Sequence, residues 1–400
     1  MRILIASGFT HPQIGGVSSY LETLQAEGLA AGHSLDIVSA SDIPRYRTLM
    51  SKGLAAPKAL VNRNAAWHQL NMDRVRSLAL VIQRQLSRQS YDIVNAQCVW
   101  SCAALTMAKV REIPVLLTLH GYAADETAAF ARNEAERAYR VKVMRELERL
   151  AYKSAHGILT VDGRIAEHAK TLGAPSGAVR VILNRPDSSF QPALKQGRSA
   201  VRKEYSVSEP TFVVLCPRRL VPKNGVRYAI KAMAFVRQQY PDCLLFVAGE
   251  GEERSDLEKL ARENGLADVV RFLGSVDRGR IPALYGMVDC VVVPSATYLN
   301  VQEATSISAL EGMAVGVPVV ASAIGGLREI ITDGETGILV PEAEPTALGT
   351  AIIKLATDAL LRRRVTDNAA AFVKAHAANW FGQYQSAVEN AINRFSEVSL

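Results

Sequence analysis

The chain has few cysteines, the residues that form disulfides and many structural zinc sites. Its 400 residues include five cysteines, an odd and scattered set: Cys98, Cys102, Cys216, Cys243 and Cys290. The first two lack the spacing of a zinc-binding pair and have no second pair to match. The last three lie in apolar runs, so we expect buried free thiols in a reducing compartment.

Long hydrophobic segments are missing too. The apolar run at the start, Met1 to Ala6, is shorter than the core of a signal peptide and predicts a first strand. No uninterrupted apolar stretch approaches the ~20 residues of a membrane-spanning helix. These absences predict a soluble, cytoplasmic protein, and they leave open a peripheral attachment to the inner face of a membrane.

The composition is typical of a globular protein with more than one domain. Apolar residues make up 48% and charged residues 21% of the sequence, and 400 residues exceed the size of one ordinary core. The net charge of +7 favours acidic partners, such as nucleotides, phospholipid headgroups or nucleic acid, without choosing among them.

Short apolar runs alternate with helical patterns along almost the whole chain. This predicts an α/β fold of two doubly wound domains, each with a parallel sheet of six strands covered on both faces. The predicted strands are 3–7, 34–39, 92–96, 114–119, 157–161, 179–183, 211–216, 243–248, 269–273, 290–293, 317–321 and 337–340. The predicted helices are 18–31, 73–88, 103–111, 133–153, 164–172, 226–239, 254–264, 281–287, 306–314, 345–357, 362–375 and 380–397.

Prolines and glycines between 184 and 210 predict the junction of the two domains. We therefore expect a first domain at 1–185, a linker at 186–210 and a second domain at 211–378. A terminal helix is expected at 379–400.

The stretch from 294 to 320 carries the strongest functional signal. An apolar run ends at Pro294, and after a loop a short helix begins at Ser306, whose hydroxyl can cap it. Glu303 lies in the loop and Glu311 on the helix, on either side of a helix N-terminus that suits a phosphate. Because a lone acid on a mostly buried helix needs a partner, we interpret Glu311 as a ligand of hydroxyls rather than as a surface group. Glu303, on the other side of the helix start, offers a second acceptor for hydroxyls.

Three other loops follow predicted strands. Gly15 and Gly16 allow backbone N–H groups to approach an anion, although a plain tight turn has the same pattern. His120 stands at the edge where open α/β sheets bind ligands, and a loop histidine satisfied by backbone is the alternative. Arg219 and Lys223 suit a diphosphate leaving group, or else belong to a solvated basic loop.

The sequence resembles the family-4 retaining glycosyltransferases of the GT-B fold, also called group 1 glycosyltransferases. The resemblance rests on Glu303-x7-Glu311, on the Gly-Met-Ala-x-Gly-x-Pro-Val-Val-Ala-Ser that follows, and on Gly325-Gly326-x-x-Glu329. It covers nearly the whole chain. It implies two Rossmann-like domains facing a cleft, with C-terminal helices crossing back to the first domain.

The resemblance also implies an activity. The implied enzyme moves a hexosyl group from a nucleotide diphosphate sugar to a sugar or lipid-linked acceptor with retention, in glycan, polysaccharide or glycolipid biosynthesis. UDP-sugars are favoured as donors, and GDP-mannose comes second. No cofactor, metal ion or nucleic acid is expected, and the chain lacks the Asp-x-Asp pair with which the other glycosyltransferase fold holds a divalent ion.

Site residues follow from the same resemblance. Catalytic roles are implied for His120, Glu303, Arg219 and Lys223. Donor contacts are implied for Gly16, Arg219, Lys223, Gly249, Leu273, Glu303, Ser306, Ile307 and Glu311, and acceptor contacts for Gly15 and His120.

One motif departs from the family pattern Gly-Arg-Leu-x-x-x-Lys-Gly. Arg219 matches its arginine, but Asn224 stands at the lysine position, with Lys223 one place earlier. Either Lys223 reaches the phosphates from its shifted place, or the site has one cation fewer. A lysine introduced at 224 is expected to be tolerated or mildly activating. Two other functions stay open: a nucleotide-sugar 2-epimerase of the same fold, and a non-catalytic protein that binds a nucleotide sugar.

A basic stretch between 43 and 72 contains five cations and no acid. Apolar side chains are interleaved with these cations. The stretch predicts either a docking surface for an anionic membrane or a flexible acceptor loop that its cations keep soluble. The residues concerned are Arg45, Arg47, Lys52, Lys58, Arg63, Leu49, Met50, Leu54, Leu60, Val61 and Trp67.

Overall fold

The structure is a computed structural model that describes residues 1–13 and 15–399, without the side chains of 398 and 399. It divides into two compact units. The N-terminal unit comprises Met1–Leu183 and the chain from Trp380 onward, and the C-terminal unit comprises Asn184–Asn379. Each unit contains one parallel sheet of six strands, so the predicted α/β fold class is confirmed.

The N-terminal unit has the strand order β2-β1-β3-β4-β5-β6. Its strands are β1 (Arg2–Ala6), β2 (Ser34–Val38), β3 (Ile93–Ala96), β4 (Val115–Leu119), β5 (Gly157–Thr160) and β6 (Val179–Val181). Its helices are α1 (Gly16–Ala30), α2 (Arg45–Val61), α3 (Arg63–Leu86), α4 (Val99–Met107), α5 (Ala123–Ala128), α6 (Glu134–Ser154), α7 (Gly163–Thr171) and, from the end of the chain, α16 (Trp380–Ser399). Strand β4 is buried along its whole length, as expected of a strand covered on both faces.

The last helix, α16, is part of the N-terminal core. Trp380, Tyr384 and Val388 are buried in one cluster with Ile3 of β1 and Leu24 of α1. The indole N–H of Trp380 donates to the carbonyl of Leu183 at 2.9 Å. The expected return of the terminal helix to the first domain is therefore present.

The C-terminal unit has the strand order β12-β11-β10-β7-β8-β9. Its strands are β7 (Phe212–Cys216), β8 (Cys243–Ala248), β9 (Val270–Gly274), β10 (Cys290–Val293), β11 (Val319–Ser322) and β12 (Ile338–Val340). Its helices are α8 (Arg198–Glu204), α9 (Val226–Gln239), α10 (Arg254–Glu263), α11 (Ile281–Met287), α12 (Ile307–Val315), α13 (Leu327–Ile330), α14 (Pro345–Thr357) and α15 (Ala359–Ala378). All six strands are parallel, and successive strands are added first on one side of β7 (β8, β9) and then on the other (β10, β11, β12). Open α/β sheets bind ligands at such a switch point, here between β7 and β10.

All twelve predicted strands are present, but four helices were not predicted. These helices are α2, α5, α8 and α13. Helix α2 covers most of the basic stretch for which a flexible loop was one of two alternatives, and it contains Gly53 and Pro57, two residue types that are unfavourable in a helix interior. Helix α3 also begins ten residues before the predicted start at 73.

The segment 186–210, which was predicted as a linker, is folded onto the C-terminal unit. Helix α8 lies within it, and the fully buried guanidinium of Arg202 pairs with Asp289 at 2.7 Å. The same guanidinium donates to the backbone carbonyls of Ser208, Glu209 and Thr211. Because this buried arginine also bonds to Met287 and Asp289, which lie beside β10, this stretch packs against the second sheet instead of spanning a gap.

Candidate active site

Three loops meet at the carboxyl edge of the second sheet, after β7, β8 and β10. Two glycines make this close approach sterically feasible. Gly225 has φ 64°, and a Cβ there would lie 1.9 Å from the carbonyl oxygen of Pro294. Gly249 has φ 151°, and its Cβ would lie 2.1 Å from the carbonyl oxygen of Arg218. Only glycine combines these backbone angles with such contacts, so the loops are fixed backbone against backbone.

Arg218 lies at the centre of this edge. It is buried, and its Nη2 donates to Glu303 Oε2 at 2.6 Å, to Asn224 Oδ1 at 2.7 Å and to Ser295 Oγ at 3.0 Å. Its Nε has no hydrogen-bond partner among the described residues. One guanidinium thus gathers groups from the loops after β7 and β10, and part of its donor capacity is unused.

Glu303 is the anionic partner in this cluster. Burial alone would raise the pKa of its carboxyl group, but Arg218 and Lys223 outweigh burial and hold the pKa below its ordinary value. Glu303 is therefore ionised at neutral pH and also accepts from Ser295 Oγ at 3.2 Å. A fixed carboxylate of this kind can accept hydrogen bonds from sugar hydroxyls.

Helix α12 begins directly behind the Arg218–Glu303 pair. Ser306 is its N-cap and accepts from the backbone N–H of Ala309. The side chain of Ser308 donates to the carbonyl of Pro217 at 3.1 Å, which anchors the first turn to the loop after β7. Ile307 is the first helical residue, so its N–H belongs to the positive end of the helix dipole, where an anion is stabilised.

Glu311 lies further along α12, in a different environment. Tyr285 of α11 donates from its hydroxyl to Glu311 Oε2 at 2.7 Å. Burial raises the pKa of Glu311 to about 7, and the Tyr285 hydrogen bond only partly opposes it. The two carboxylates of the Glu-x7-Glu stretch therefore differ: Glu303 is ionised by a paired cation, whereas Glu311 is poised to titrate near neutral pH.

The structure places the other predicted cations differently from Arg218. Arg219 is exposed, and its side chain makes no hydrogen bond or ion pair with any described residue. Lys223 is half-buried and close enough to Glu303 to lower its pKa. The sequence did not single out Arg218. Two adjacent arginines in a turn have the same side chain, and only the structure shows that Arg218 is buried and Arg219 exposed.

Asn224, at the position of the family's lysine, is buried. Its Oδ1 accepts from Arg218, and its Nδ2 donates to the carbonyl of Arg219 at 2.8 Å. A lysine there would bring a second cation against the Arg218 guanidinium. The geometry therefore favours the opposite outcome to the tolerance expected from the sequence.

Two predicted donor residues lie at the ends of neighbouring strands. Gly249 follows β8, and its backbone N–H donates to the carbonyl of Gly274 at 2.8 Å. Leu273 is half-buried near the end of β9. Both lie on the same sheet edge as Arg218, on the side of β7 away from β10.

His120 follows β4 in the N-terminal unit and is the outermost member of a hydrogen-bonded series of polar side chains. Its Nε2 lies 2.9 Å from Gln97 Oε1. The Gln97 amide donates to Asn95 Oδ1 at 2.6 Å, and the hydroxyl of Tyr384 donates to the same oxygen at 3.2 Å. Since the Gln97 oxygen can only accept, Nε2 carries the proton and Nδ1 is left as an acceptor. Burial lowers the pKa of His120 to about 4, so the imidazole is neutral at pH 7.

Gly15 and Gly16 stand where α1 begins. Gly15 is the residue before the helix, with φ 148°, and apart from its chain neighbours no described residue has an atom within 4 Å of the position that a Cβ would take. The positive φ therefore explains why position 15 is a glycine, whereas steric crowding does not explain it.

These features define a class. Two parallel-sheet, Rossmann-like units, with a buried cation at a helix start in the second one, form the GT-B architecture of glycosyltransferases. Among the described residues, no three His, Cys, Asp or Glu side chains are grouped as a metal site would need.

Comparison with known proteins gives the family. The profile of glycosyl transferases group 1 matches residues 197–372, and that of Glycosyltransferase Family 4 matches residues 14–188. The alpha-D-kanosaminyltransferase of Streptomyces kanamyceticus is 28% identical over 72% of this chain and 74% of its own length. A GDP-mannose-dependent monoacylated alpha-(1-6)-phosphatidylinositol monomannoside mannosyltransferase of Corynebacterium glutamicum is 26% identical over 90% of both chains.

A solved structure shows the same fold. Anabaena Alr3699/HepE in complex with UDP superposes with a TM-score of 0.69 at 19% identity, over 97% of this chain and 100% of that one. The chain belongs to the family-4 glycosyltransferases of the GT-B fold. It is an enzyme, a glycosyltransferase that uses a nucleotide sugar.

Proposed function

We propose that the chain is a retaining hexosyltransferase that takes its sugar from a nucleotide diphosphate donor, with UDP-sugars first and GDP-mannose second. The acceptor is the hydroxyl of a sugar or of a lipid-linked glycan. The proposed setting is the cytoplasm, with peripheral attachment to the inner face of a membrane. The observation that carries the proposal is the buried Arg218–Glu303 pair at the start of α12, with Glu311 on the same helix.

The donor site follows from these charges. The diphosphate lies at the N-terminus of α12, against the N–H groups of Ser306 and Ile307, where the helix dipole stabilises negative charge. Arg219, whose exposed side chain makes no hydrogen bond or ion pair with any described residue, turns inward to the phosphates. With cations and a helix dipole in place, the leaving group needs no metal ion to neutralise it.

The carboxylates hold the two ends of the donor. Glu311, in its ionised form, accepts hydrogen bonds from the ribose hydroxyls. Glu303 accepts from the hydroxyls of the transferred hexose, and Arg218 keeps it charged for this role. A carboxylate that must bind hydroxyls is useful only while it is ionised, so the two pKa values determine when the site is competent.

Transfer then proceeds on one face of the sugar. The acceptor oxygen forms a bond to C1, the bond from C1 to the diphosphate oxygen breaks, and the hydroxyl proton passes to the leaving phosphate. No enzymic nucleophile is required, and the anomeric configuration is retained. In the N-terminal unit, the neutral His120 is proposed to position the acceptor or a donor hydroxyl through Nδ1.

A donor panel tests the binding half of the proposal. The HepE structure was solved with UDP, and the Corynebacterium glutamicum relative is named for GDP-mannose, so the panel contains UDP-hexoses and GDP-mannose. A donor at a hundred times its dissociation constant should stabilise the protein by about 2.7 kcal/mol. Glu311→Gln should lose this effect, while the exposed Glu263→Gln control should keep it.

Product analysis tests the chemistry. Without acceptor, a glycosyltransferase should slowly release nucleoside diphosphate and free hexose, and with acceptor it should form a glycoside whose anomeric proton coupling matches that of the donor. An isomerised nucleotide sugar would show an epimerase instead. A thermal shift with no product under either condition would show a binding protein, and an inverted glycoside would refute retention.

A further inference from the structure

Helix α2 turns an apolar face away from the N-terminal unit. Of its 17 residues only Ala55 is buried. Six of the sixteen exposed large apolar side chains among the described residues lie on this one helix. They are Tyr46, Leu49, Met50, Leu54, Leu60 and Val61, which are 58%, 68%, 62%, 62%, 91% and 91% exposed.

These six side chains form one continuous stripe. At 100° per residue they fall within an arc of about 140°, and Gly53 and Pro57 lie inside the same arc. Ala55 points to the opposite side, where α3 packs. There Ser51 of α2 donates to Asp73 of α3 at 3.0 Å, so the buried face and the exposed stripe are separated around the helix.

Cations border the stripe on both sides. By the same helical geometry, Arg45 and Lys52 lie along one edge, and Arg47 and Lys58 lie along the other. Helix α2 itself contains no acid. Lys58 donates to Gln69 of α3 at 3.0 Å, a neutral partner that leaves its charge uncompensated.

Two residues of the same basic stretch do not belong to this surface. Arg63 of α3 pairs with Glu136 at 3.2 Å, and its charge is compensated there. Trp67 packs between the rings of Trp100 and Tyr139, at 6.4 Å and 6.3 Å between ring centroids. The sequence-based expectation included both, so the structure narrows the surface to α2.

We propose that α2 lies in the interface of an anionic lipid leaflet, with its apolar stripe among the acyl chains and its four cations at the headgroups. This inference deepens the membrane part of the proposed function. A second copy of the chain does not fit the same face, because it would bring four further cations against these four. The stripe is about 25 Å long and bordered by long basic side chains, which reach headgroups while their stems stay with the apolar face.

Vesicle sedimentation with the full-length protein tests the proposal. We expect binding to phosphatidylcholine vesicles containing phosphatidylglycerol, little binding to phosphatidylcholine alone, and release by salt. Each cation near the surface contributes about fivefold to the binding constant, so removing four should weaken binding by about 600-fold, nearly three orders of magnitude. The charge variant replaces Arg45, Arg47, Lys52 and Lys58 by Gln.

A second variant tests the apolar stripe: Leu49, Leu54 and Leu60 are replaced by Gln. Since these side chains are exposed, the variant should unfold at the same temperature as the parent protein and still lose vesicle binding. Matched controls change exposed leucines elsewhere, Leu29→Gln and Leu360→Gln, and exposed arginines outside α2, Arg84→Gln near the end of α3 and Arg88→Gln just after it. These controls should bind like the parent.

Several results would overturn the inference. These are no binding to anionic vesicles at low salt, equal binding to both lipids, stripe or charge variants that bind like the controls, and α2-dependent dimers in the absence of lipid. Donor-induced thermal shifts are measured on the same samples. If the protein binds vesicles but no donor, only the transferase proposal is refuted. If it binds donor but no vesicles, only the membrane proposal is refuted.

Discussion

Lowering the pH from 8 to 6 should weaken donor binding through Glu311 alone. The pKa of this carboxyl group is about 7, because burial disfavours its charge. Only the ionised form accepts hydrogen bonds from both ribose hydroxyls. The donor contributes no titration in this window, since a diphosphate esterified at both ends lacks the ionisation near pH 6 of a phosphate monoester.

The size of the effect follows from the pKa. With a pKa of about 7, about 90% of the protein has Glu311 ionised at pH 8 and about 10% at pH 6. Because the ionised fraction falls from about 10/11 to about 1/11, the apparent dissociation constant should rise about tenfold. Below pH 6 it should rise about tenfold per pH unit.

Titration calorimetry with the best donor of the panel measures this dependence. Glu311→Gln should bind weakly and with no midpoint near pH 7. Tyr285→Phe removes a hydrogen bond that lowers the pKa, so its midpoint should move to higher pH. Glu263→Gln, with its carboxylate on the surface, should show the parent's profile.

The stability of the free protein should change in the opposite sense. Because folding raises the pKa of Glu311 above its ordinary 4.5, the native state binds more protons than the unfolded chain between about pH 4.5 and 7. The contribution of Glu311 to the free energy of unfolding thus falls as pH rises through this window. A donor affinity that is constant from pH 6 to 8 in the parent, or a midpoint that persists in Glu311→Gln, would refute the reasoning.

Three further predictions concern the neighbouring groups. Asn224→Lys should lower both stability and donor affinity, whereas Arg218→Gly combined with Asn224→Lys should recover much of the loss. A double-mutant cycle by denaturant unfolding and calorimetry measures this. Additive losses would contradict the idea that Arg218 and a lysine at 224 compete for one position. Glu303→Gln leaves Arg218 buried without its anion, so it should lower the free energy of unfolding by about 3–5 kcal/mol. It should also lower kcat more than it raises KM. Unchanged turnover would show that Glu303 does not bind the hexose. The His120 ring should show no titration by NMR between pH 5.5 and 8, whereas Gln97→Glu should raise its midpoint, and a parent midpoint near 6.5 would contradict the buried neutral imidazole.

The sheets were predictable because their strands are buried on both faces. Strands such as Cys243–Ala248 and Cys290–Val293 are unbroken apolar runs, and their bounds match the prediction. Helix α2 was missed for the converse reason. Its single buried residue gives no inward periodicity, and Gly53 and Pro57 are residue types that are unfavourable inside a helix. The apolar spacing at 46, 49, 50, 54, 60 and 61 was a helical signal that pointed outward.

The sequence predicted which residues surround the start of α12, but it did not predict which arginine is buried or how the pKa values of the two glutamates differ. Glu303, Ser306 and Glu311 stand around the helix start as their spacing suggested. Which arginine is buried depended on how the loop after β7 turns against Pro294 and Gly249, contacts made by residues far apart in sequence. The difference in pKa between the two glutamates likewise depends on Arg218 for one and Tyr285 for the other.

The N-terminal unit is assembled from both ends of the chain, and this sets a waiting time during synthesis. Trp380, Tyr384 and Val388 complete a core that the first 183 residues cannot close alone. At about 5–20 residues per second, the ribosome needs roughly 10–40 s to make the intervening unit before α16 emerges. Throughout that interval the nascent first sheet exposes the apolar groove that α16 will fill. A chaperone that recognises apolar surface would bind there, and docking of α16 would end the need for it.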